Sequence, residues 1–293
     1  MQKIAIVGAG ITGLVAARRL ADAGRRPTIF EKSRGPGGRA ATRRIEGGTV
    51  DHGAPHLNAD DDAVLLEDAR AVATPGGWIG MPTMSAIGKT LAIGLDIQIK
   101  TEIAAIDGPP WTLTDADGAR HGPFDAVLVT VPAPQAARIT SLDLDAVDFD
   151  PAWTLIAAFE GRLDAPDRVA DGDVDLALRM SSRPGRRGLE AWAVHMAADW
   201  SRDRLESDRT AMIPVLLDAF ATVAGELPPT THAAAHRWRY ARTRRALGRP
   251  FASDPTGTLL AGGDWALGPD AGDAIRSGQA MADALLRGGA GDG

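Results

Sequence analysis

Residues 3–13 read Lys3-Ile4-Ala5-Ile6-Val7-Gly8-Ala9-Gly10-Ile11-Thr12-Gly13, a short apolar run that leads directly into a G-x-G-x-x-G motif. The apolar run is typical of a strand buried on both faces in a parallel sheet. After the motif, apolar residues recur at helical spacing as far as Gly24, which can end the helix. A strand, a glycine-rich turn and a helix in this order predict the first unit of a doubly wound α/β fold.

A second strand is predicted at residues 27–30, and Glu31 stands at its carboxyl end, 18 residues after Gly13. In this context the first glycine makes a tight turn, the second lets the backbone approach a pyrophosphate, and the third allows close helix–strand packing. An acid at this distance accepts hydrogen bonds from a ribose. The alternative is a glycine-rich turn without a ligand. The predicted dinucleotide contacts are Gly8, Gly10, Ile11, Thr12, Gly13, Glu31 and Lys32.

A second glycine pair lies within ten residues of this acid, in Gly37-Gly38-Arg39-Ala40-Ala41-Thr42-Arg43-Arg44. Glycines followed by arginines give another close backbone approach and fixed cations for a diphosphate, which favours FAD over NAD. A flexible basic surface loop is the alternative. Asp51-His52-Gly53 follows a strand-like run at residues 48–50. The predicted FAD contacts here are Gly38, Arg39, Thr42, Arg43, His52 and Gly53.

These segments resemble those of the renalase-like flavoproteins, within the wider amine-oxidase-like FAD group. The resemblance continues in Gly80-Met81-Pro82-Thr83-Met84-Ser85, in His236-Arg237-Trp238-Arg239-Tyr240-Ala241 and in Ala261-Gly262-Gly263-Asp264-Trp265. It implies bound FAD and an oxidase whose donors are dihydro isomers of NAD(P), with dioxygen as acceptor. Ala40, Ala41 and His56-Leu57 depart from the family pattern, so the substrate does not carry over directly.

The carboxyl-terminal segment supports the same cofactor. The resemblance implies that Asp264 holds a ribityl hydroxyl. Asp273 is predicted to cap a helix with Ala274 in its first turn. In this flavoprotein group the amino end of that helix points at the flavin ring. There the helix dipole stabilises an anionic reduced flavin. The alternative is an ordinary amphipathic helix. Asp264, Asp273 and Ala274 therefore complete the predicted cofactor site.

The candidates for the catalytic, flavin-facing pocket are His56, Trp238, Tyr240 and Trp265; for each of them, packing or a surface position is the alternative. The wider group often uses a lysine near flavin N5 or a pair of tyrosines. No lysine of this chain lies in a suitable segment, and Tyr240 is its one tyrosine. Both observations weaken an amine-oxidase interpretation.

Composition excludes several other functions. A net charge of -6 argues against a nucleic-acid partner, and the lack of cysteine rules out disulfides, thiolate metal sites and iron–sulfur clusters. No metal site is predicted, because His232 and His236 lack the glutamate of a zinc protease motif, and the acidic run at residues 171–175 lacks the glycine and glutamate of a calcium loop. The apolar stretch at residues 4–17 is too short to span a bilayer and is interrupted by glycines. We therefore expect a cytoplasmic protein with no membrane contact, a signal peptide being the alternative.

The rest of the chain completes a two-domain plan. We predict a doubly wound Rossmann-type FAD-binding domain from residues 1–58, 83–135 and 236–293, with an inserted mixed α/β substrate domain from residues 59–82 and 136–235. A meander is expected at residues 103–118, and a helix interrupted by Pro214 at residues 207–224. Asp60-Asp61-Asp62 is typical of a solvated loop and residues 288–293 of a disordered tail.

The predicted function is an FAD-dependent oxidoreductase that takes a hydride from a small-molecule donor, with a dihydronicotinamide favoured. Two alternatives stay open: an FAD amine oxidase or desaturase, and a non-catalytic flavin-binding redox protein. The sequence makes no prediction of the oligomeric state.

Overall fold

The computed structural model describes residues 2–59, 62–186 and 188–288. The strands of this part of the chain are β1 (Ile4–Val7), β2 (Thr28–Glu31), β3 (Thr42–Ile45), β4 (Gly48–Asp51), β5 (Ala71–Thr74), β6 (Gly77–Gly80), β7 (Asp96–Ile99), β8 (Ile103–Asp107), β9 (Trp111–Asp115), β10 (Arg120–Phe124), β11 (Ala126–Val129), β12 (Asp148–Phe159), β13 (Arg168–Asp171), β14 (Val174–Arg179), β15 (Glu190–Met196), β16 (Thr230–Arg245), β17 (Ala252–Ser253) and β18 (Leu259–Ala261). The helices are α1 (Ile11–Asp22), α2 (Ala63–Asp68), α3 (Ser85–Leu91), α4 (Ala133–Ile139), α5 (Ala198–Asp203), α6 (Arg209–Ala224) and α7 (Ala271–Gly288).

A six-stranded sheet in the order β17-β18-β11-β1-β2-β7 forms the first structural unit. All its pairs are parallel except β17 with β18. The carboxyl ends of β1, β2, β11 and β18 therefore meet at one edge, where Val7 lies between Phe30 and Val129. This arrangement confirms the predicted doubly wound fold, in which ligands bind at the carboxyl edge of the sheet.

Both faces of this sheet are covered, which explains the unbroken apolar run of β1. Helices α1 and α7 lie on one face, where a Cβ atom on Gly278 would come within 2.5 Å of the Thr12 carbonyl oxygen. A glycine is thus required for α7 to pack this closely against α1. The other face packs against α4 and the antiparallel sheet β10-β9-β8, and this second sheet confirms the predicted meander.

A five-stranded antiparallel sheet in the order β13-β14-β15-β12-β16 forms the second unit. One of its faces is covered by α5 and α6, and the hairpin β3–β4 lies against the other. Helix α6 continues through Pro214, so the predicted interruption is wrong. Pro214 and Thr210, the residue whose carbonyl group loses its partner, are both exposed, so water can hydrogen-bond to that carbonyl.

The course of strand β16 shows that the predicted boundary between the two units needs correction. It pairs with β12 from Thr230 to Arg245, so the boundary predicted at residue 236 falls inside a continuous strand. Leu66 and Trp78, from the segment predicted to join the substrate domain, pack instead in the core under the six-stranded sheet. We therefore propose that the boundary lies after Arg245 and that residues 62–82 belong with the six-stranded unit.

The described residues contain no helix that is both long and apolar enough to cross a membrane. The cytoplasmic location stays a prediction. Asp60 and Asp61 of the predicted loop and residues 289–293 of the predicted tail lie outside the described residues. Gly288, which was predicted to begin that tail, is instead the last residue of α7.

Candidate functional site

Two glycine loops face each other at the carboxyl edge of the six-stranded sheet. Gly8 has φ +103°, and a Cβ atom on Gly13 would lie 2.1 Å from the Gly8 carbonyl oxygen, so both positions require glycine. Gly37 donates its N–H to the Ala9 carbonyl oxygen at 2.8 Å, which holds the second loop against the first. At Gly10, by contrast, an added Cβ would meet no atom within 4 Å. This open space beside the amino end of α1, whose first residues are Ile11 and Thr12, fits a pyrophosphate.

Glu31 is buried at the end of β2 and is held in place by the backbone. Its Oε2 accepts a hydrogen bond from Ala9 N at 2.8 Å, and its Oε1 accepts one from Ser33 N at 2.7 Å. Each carboxylate oxygen retains a further lone pair, which can accept from a ribose hydroxyl. Lys32 is exposed, and its Nζ lies 4.0 Å from Glu102 Oε1. It is thus placed on the outer surface.

Arg39 joins three segments that are distant in sequence. Its Nη2 donates to Asp264 Oδ1 at 2.6 Å, and its Nη1 donates to the Ala241 carbonyl oxygen at 3.0 Å. Gly53 packs against the backbone of Arg39, where an added Cβ would lie 2.0 Å from the Arg39 carbonyl oxygen. Asp264 is nearly fully buried, so this ion pair neutralises a carboxylate that would otherwise be costly to bury.

The start of α7 differs from the prediction. Because the helix begins at Ala271, Asp273 is its third residue and not the cap. Asp270 precedes the helix, and the Asp273 carboxylate accepts a hydrogen bond from Asp270 N at 3.0 Å, as the third residue of a capping box does. The prediction chose the wrong residue because both the cap position, Asp270, and the third helical position, Asp273, are aspartates. Ala274 is buried directly behind this turn.

Asp51 is a buried carboxylate that makes two hydrogen bonds and two ion pairs. Its Oδ1 accepts from Thr42 Oγ1 at 2.6 Å and from Met84 N at 3.2 Å, and its Oδ2 faces Arg183 and Arg186. Burial lowers the pKa of Arg183 to about 10, against the opposing effect of Asp51. Thr42 therefore belongs to a structural network, and the cluster as a whole carries an excess positive charge.

Four polar residues lie together between the hairpin β3–β4 and the five-stranded sheet. Ile156 on β12 pairs with Ala193 on β15 in an apolar cluster that also contains Val50. The next pair on the same face of these two strands is polar and consists of Thr154 and His195. Because side chains alternate along strands, these polar residues face the same side as the apolar cluster. We call this set the histidine layer; it consists of His52, Thr154, His195 and His236.

Close contacts hold the histidine layer in place. The Thr154 hydroxyl lies 3.0 Å from His195 Nδ1, and the rings of His52 and His236 are 4.9 Å apart in a T-shaped arrangement. Trp238 covers the layer, with its ring 4.2 Å from that of His236 and its Nε1 donating to the His52 carbonyl oxygen at 2.8 Å. His236 and Trp238 remain half-buried, so this side of the layer is accessible.

The histidines of the layer are neutral at physiological pH. Burial, with a contribution from Arg43, lowers the pKa of His52 to about 4. Burial, followed by the electrostatic effect of a second proton so close to His52, also lowers the pKa values of His195 and His236 to about 4. Arg43 lies opposite Val50 in the hairpin and therefore faces the same sheet; it is exposed and forms no ion pair with any described residue. Uncharged imidazoles beside the unpaired cation of Arg43 suit a neutral or anionic ligand.

The remaining pocket candidates lie in different surroundings. Tyr240 packs edge-on against Phe149 at 5.4 Å, and Trp265 is 1% exposed with its Nε1 donating to the Val131 carbonyl oxygen at 3.1 Å. Trp265 therefore offers no free surface to a substrate, and it does not line the pocket as predicted. His56 is half-buried next to Gly77, and burial, followed by Arg168, lowers its pKa.

Sequence reasoning missed His195, Thr154 and the role of His236. The alternation His232, Ala234, His236, Trp238 along β16 was a usable signal, since all four side chains share one face of a strand. His195 gave no local signal, because only its pairing with Thr154 brings it to the site. The described residues hold no histidine or acidic cluster suited to a metal ion.

The parallel sheet and the first glycine loop define the class to which the amino-terminal part of the chain belongs. Residues 6–70 match the family model of an NAD(P)-binding Rossmann-like domain. A 51-residue segment is 51% identical to 4,4'-diapophytoene desaturase (4,4'-diaponeurosporene-forming) of Staphylococcus aureus strain Newman, and it covers 17% of this chain and 10% of the desaturase. The match therefore spans about a tenth of that curated relative.

Two solved structures resemble the whole chain. A triple mutant of putrescine oxidase, redesigned in its cofactor binding, superposes with a TM-score of 0.72 at 13% identity and covers 98% of this chain and 99% of its own. A candidate protoporphyrinogen oxidase from Exiguobacterium sp. 255-15 gives the same TM-score, identity and coverage. At this identity the likeness establishes the fold, which both units of the chain share with these proteins.

Proposed function

We propose that this chain is an FAD-dependent oxidoreductase that takes a hydride from a small-molecule donor. The observation that carries the proposal is the open space at Gly10, lined by the second glycine loop on one side and followed at the end of β2 by the anchored Glu31. Two backbone loops and an acid in this order fit a dinucleotide. The shared fold with an oxidase over the whole chain supports a redox role.

The residues that would hold FAD follow the edge of the sheet. Glu31 would bind the adenosine ribose, and the backbone of Gly8, Gly10 and Gly38 would bind the pyrophosphate. Arg39 and Asp264 would lie beside the ribityl chain, and the amino end of α7 would face the flavin ring. When bound, FAD supplies a hydride acceptor and passes the electrons to dioxygen, with hydrogen peroxide as product.

The electrostatics of the histidine layer favour a dihydronicotinamide donor over an amine. A free carboxylate would favour an ammonium substrate, but Asp51, the carboxylate next to His52, is neutralised by Arg183 and Arg186. Neutral imidazoles offer both hydrogen-bond donors and acceptors, which suits an uncharged carboxamide. Arg43 adds an exposed cation that suits a phosphate. The donor would then lie against His236 and Trp238, and the chain would act as a renalase-like oxidase of dihydro-NAD(P) isomers.

The test follows the flavin absorbance of the purified protein, without oxygen, during addition of dihydro-NAD isomers or of putrescine. We expect the isomers to bleach the flavin band rapidly and air to restore it with release of peroxide. Bleaching by putrescine alone would favour the amine-oxidase alternative. A band that neither donor changes would favour a non-catalytic flavoprotein, and a colourless protein that takes up no added FAD would overturn the proposal. A Glu31→Arg variant that retained full FAD would overturn the ribose assignment.

A further inference from the structure

Two nitrogen atoms of the histidine layer have no hydrogen-bond partner among the described residues. They are Nε2 of His195 and Nδ1 of His52, and both are buried. The two residues are each 8% exposed, and they are close enough that His52 contributes to the lowered pKa of His195. Burying such atoms without partners is unfavourable, and native proteins usually satisfy them with an internal water molecule.

The two histidines belong to neighbouring segments of the chain: His195 lies on β15, and His52 directly follows β4. Strand β15, which carries His195 near its end, contacts β4, which ends one residue before His52. The other ring nitrogen of His195 is already bound to Thr154, whose side chain is completely buried. His195 therefore has one nitrogen held by Thr154 and one buried nitrogen without a partner among the described residues.

We propose that His195 is a positioning residue for His52 and acts through one internal water molecule that joins His195 Nε2 to His52 Nδ1. The chain Thr154–His195–water–His52 sets which nitrogen of His52 carries the proton, because the hydrogen bond made by one ring nitrogen selects the tautomer of a neutral imidazole. His52 in turn contacts His236 and, through its carbonyl oxygen, Trp238. The tautomer thereby sets the charge distribution of the ring that packs against His236 in the proposed pocket. This role in the pocket rests on the proposed function.

Long-range proton–nitrogen NMR of the holoprotein tests the chain directly, since the protein contains six histidines. We expect His52 in a single tautomer in the wild type and a mixture of tautomers in His195→Leu. His195→Gln, which retains polar atoms, should restore most of the wild-type spectrum. His121, which pairs with Asp115 at 2.9 Å on the separate meander, is the internal control and should not change. An unchanged His52 spectrum in His195→Leu would overturn the proposal.

A second variant keeps the test decisive if His195→Leu does not fold. Thr154→Val removes the hydroxyl that holds His195 and conserves the shape of the side chain. We expect it to shift the His52 spectrum in the same direction and to slow anaerobic flavin reduction by a dihydro-NAD isomer about five- to tenfold, as expected for one lost neutral hydrogen bond, with little change in donor affinity. An unaltered His52 spectrum in folded Thr154→Val would likewise contradict the proposal. The spectra need no substrate, so failure of the proposed function leaves this readout intact.

Discussion

Arg39 and Asp264, which are 225 residues apart in sequence, form an ion pair in which Arg39 Nη2 lies 2.6 Å from Asp264 Oδ1. Arg39 follows the second glycine loop, and Asp264 follows β18 at the carboxyl edge of the six-stranded sheet. The pair therefore connects the amino-terminal glycine loop to the carboxyl-terminal segment at that edge of the sheet. Since Asp264 is buried, its charge depends on Arg39 for compensation.

Replacing Arg39 by glutamine should therefore destabilise the protein and weaken FAD binding. We expect a loss of about 3 kcal/mol in the free energy of unfolding, because a buried carboxylate is left without its partner. Urea denaturation measures this loss. Arg19→Gln is the matched control, since it breaks the more exposed pair with Asp283 and should cost less than about 1 kcal/mol. Equal losses in the two variants would contradict the role assigned to Arg39.

Gly10 and Gly13 should respond in opposite ways to alanine. Gly10 has φ -73° and free space for a Cβ, so Gly10→Ala should fold normally but lose FAD, because the methyl group occupies the space proposed for the pyrophosphate. Gly13→Ala should fail to fold stably, since its Cβ would lie 2.1 Å from the Gly8 carbonyl oxygen. Thermal melting and flavin absorbance separate the two effects. Full flavin retention in Gly10→Ala would show that the pyrophosphate lies elsewhere.

Acid should destabilise the protein through the histidine layer. His52 and His195 have pKa values of about 4 when folded and 6.5 in an ordinary environment. Between these values the unfolded chain binds protons that the folded protein does not, so stability is complete above pH 6.5 and declines as the pH falls toward 4. At pH 5 the loss should be about 2 kcal/mol for each histidine. Urea denaturation at pH 7.5 and pH 5 measures it, and a His52→Gln/His195→Gln variant should show a smaller pH dependence. An equal dependence would contradict this assignment.

Arg43→Gln should impair donors that carry phosphate more than donors that lack it. Arg43 is exposed, faces the five-stranded sheet and forms no ion pair with a described residue. Losing a charge-assisted contact costs about 1.5–3 kcal/mol, which corresponds to a tenfold or greater loss of affinity for a dihydro-NAD isomer. A dihydronicotinamide riboside without phosphate should bind the variant and the wild type equally. Stopped-flow titration of flavin bleaching gives both affinities. The same loss with both donors would assign Arg43 to the cofactor, as the sequence alone suggested.

The dinucleotide loop was predictable because its signals are local. Lys3 to Gly13 combine strand propensity, an obligatory glycine turn and a helix within a few residues, and Glu31 follows at a spacing that one βαβ unit determines. The meander at residues 103–118 was predictable for the same reason, because alternation and turn residues depend only on near neighbours.

The pocket was decided by the tertiary structure. His52, Thr154, His195 and His236 come from four strands or their ends, and they meet only because the pairing of β12 with β15 and β16 sets their register. The removal of Trp265 from the pocket has the same origin, since a tryptophan beside a conspicuous Gly-Gly-Asp is buried by residues that are distant in sequence. Short-range spacing therefore determined the cofactor loop and its strand–turn–helix frame. Register between distant strands, which depends on the burial of the whole apolar face, determined which side chains form the proposed pocket.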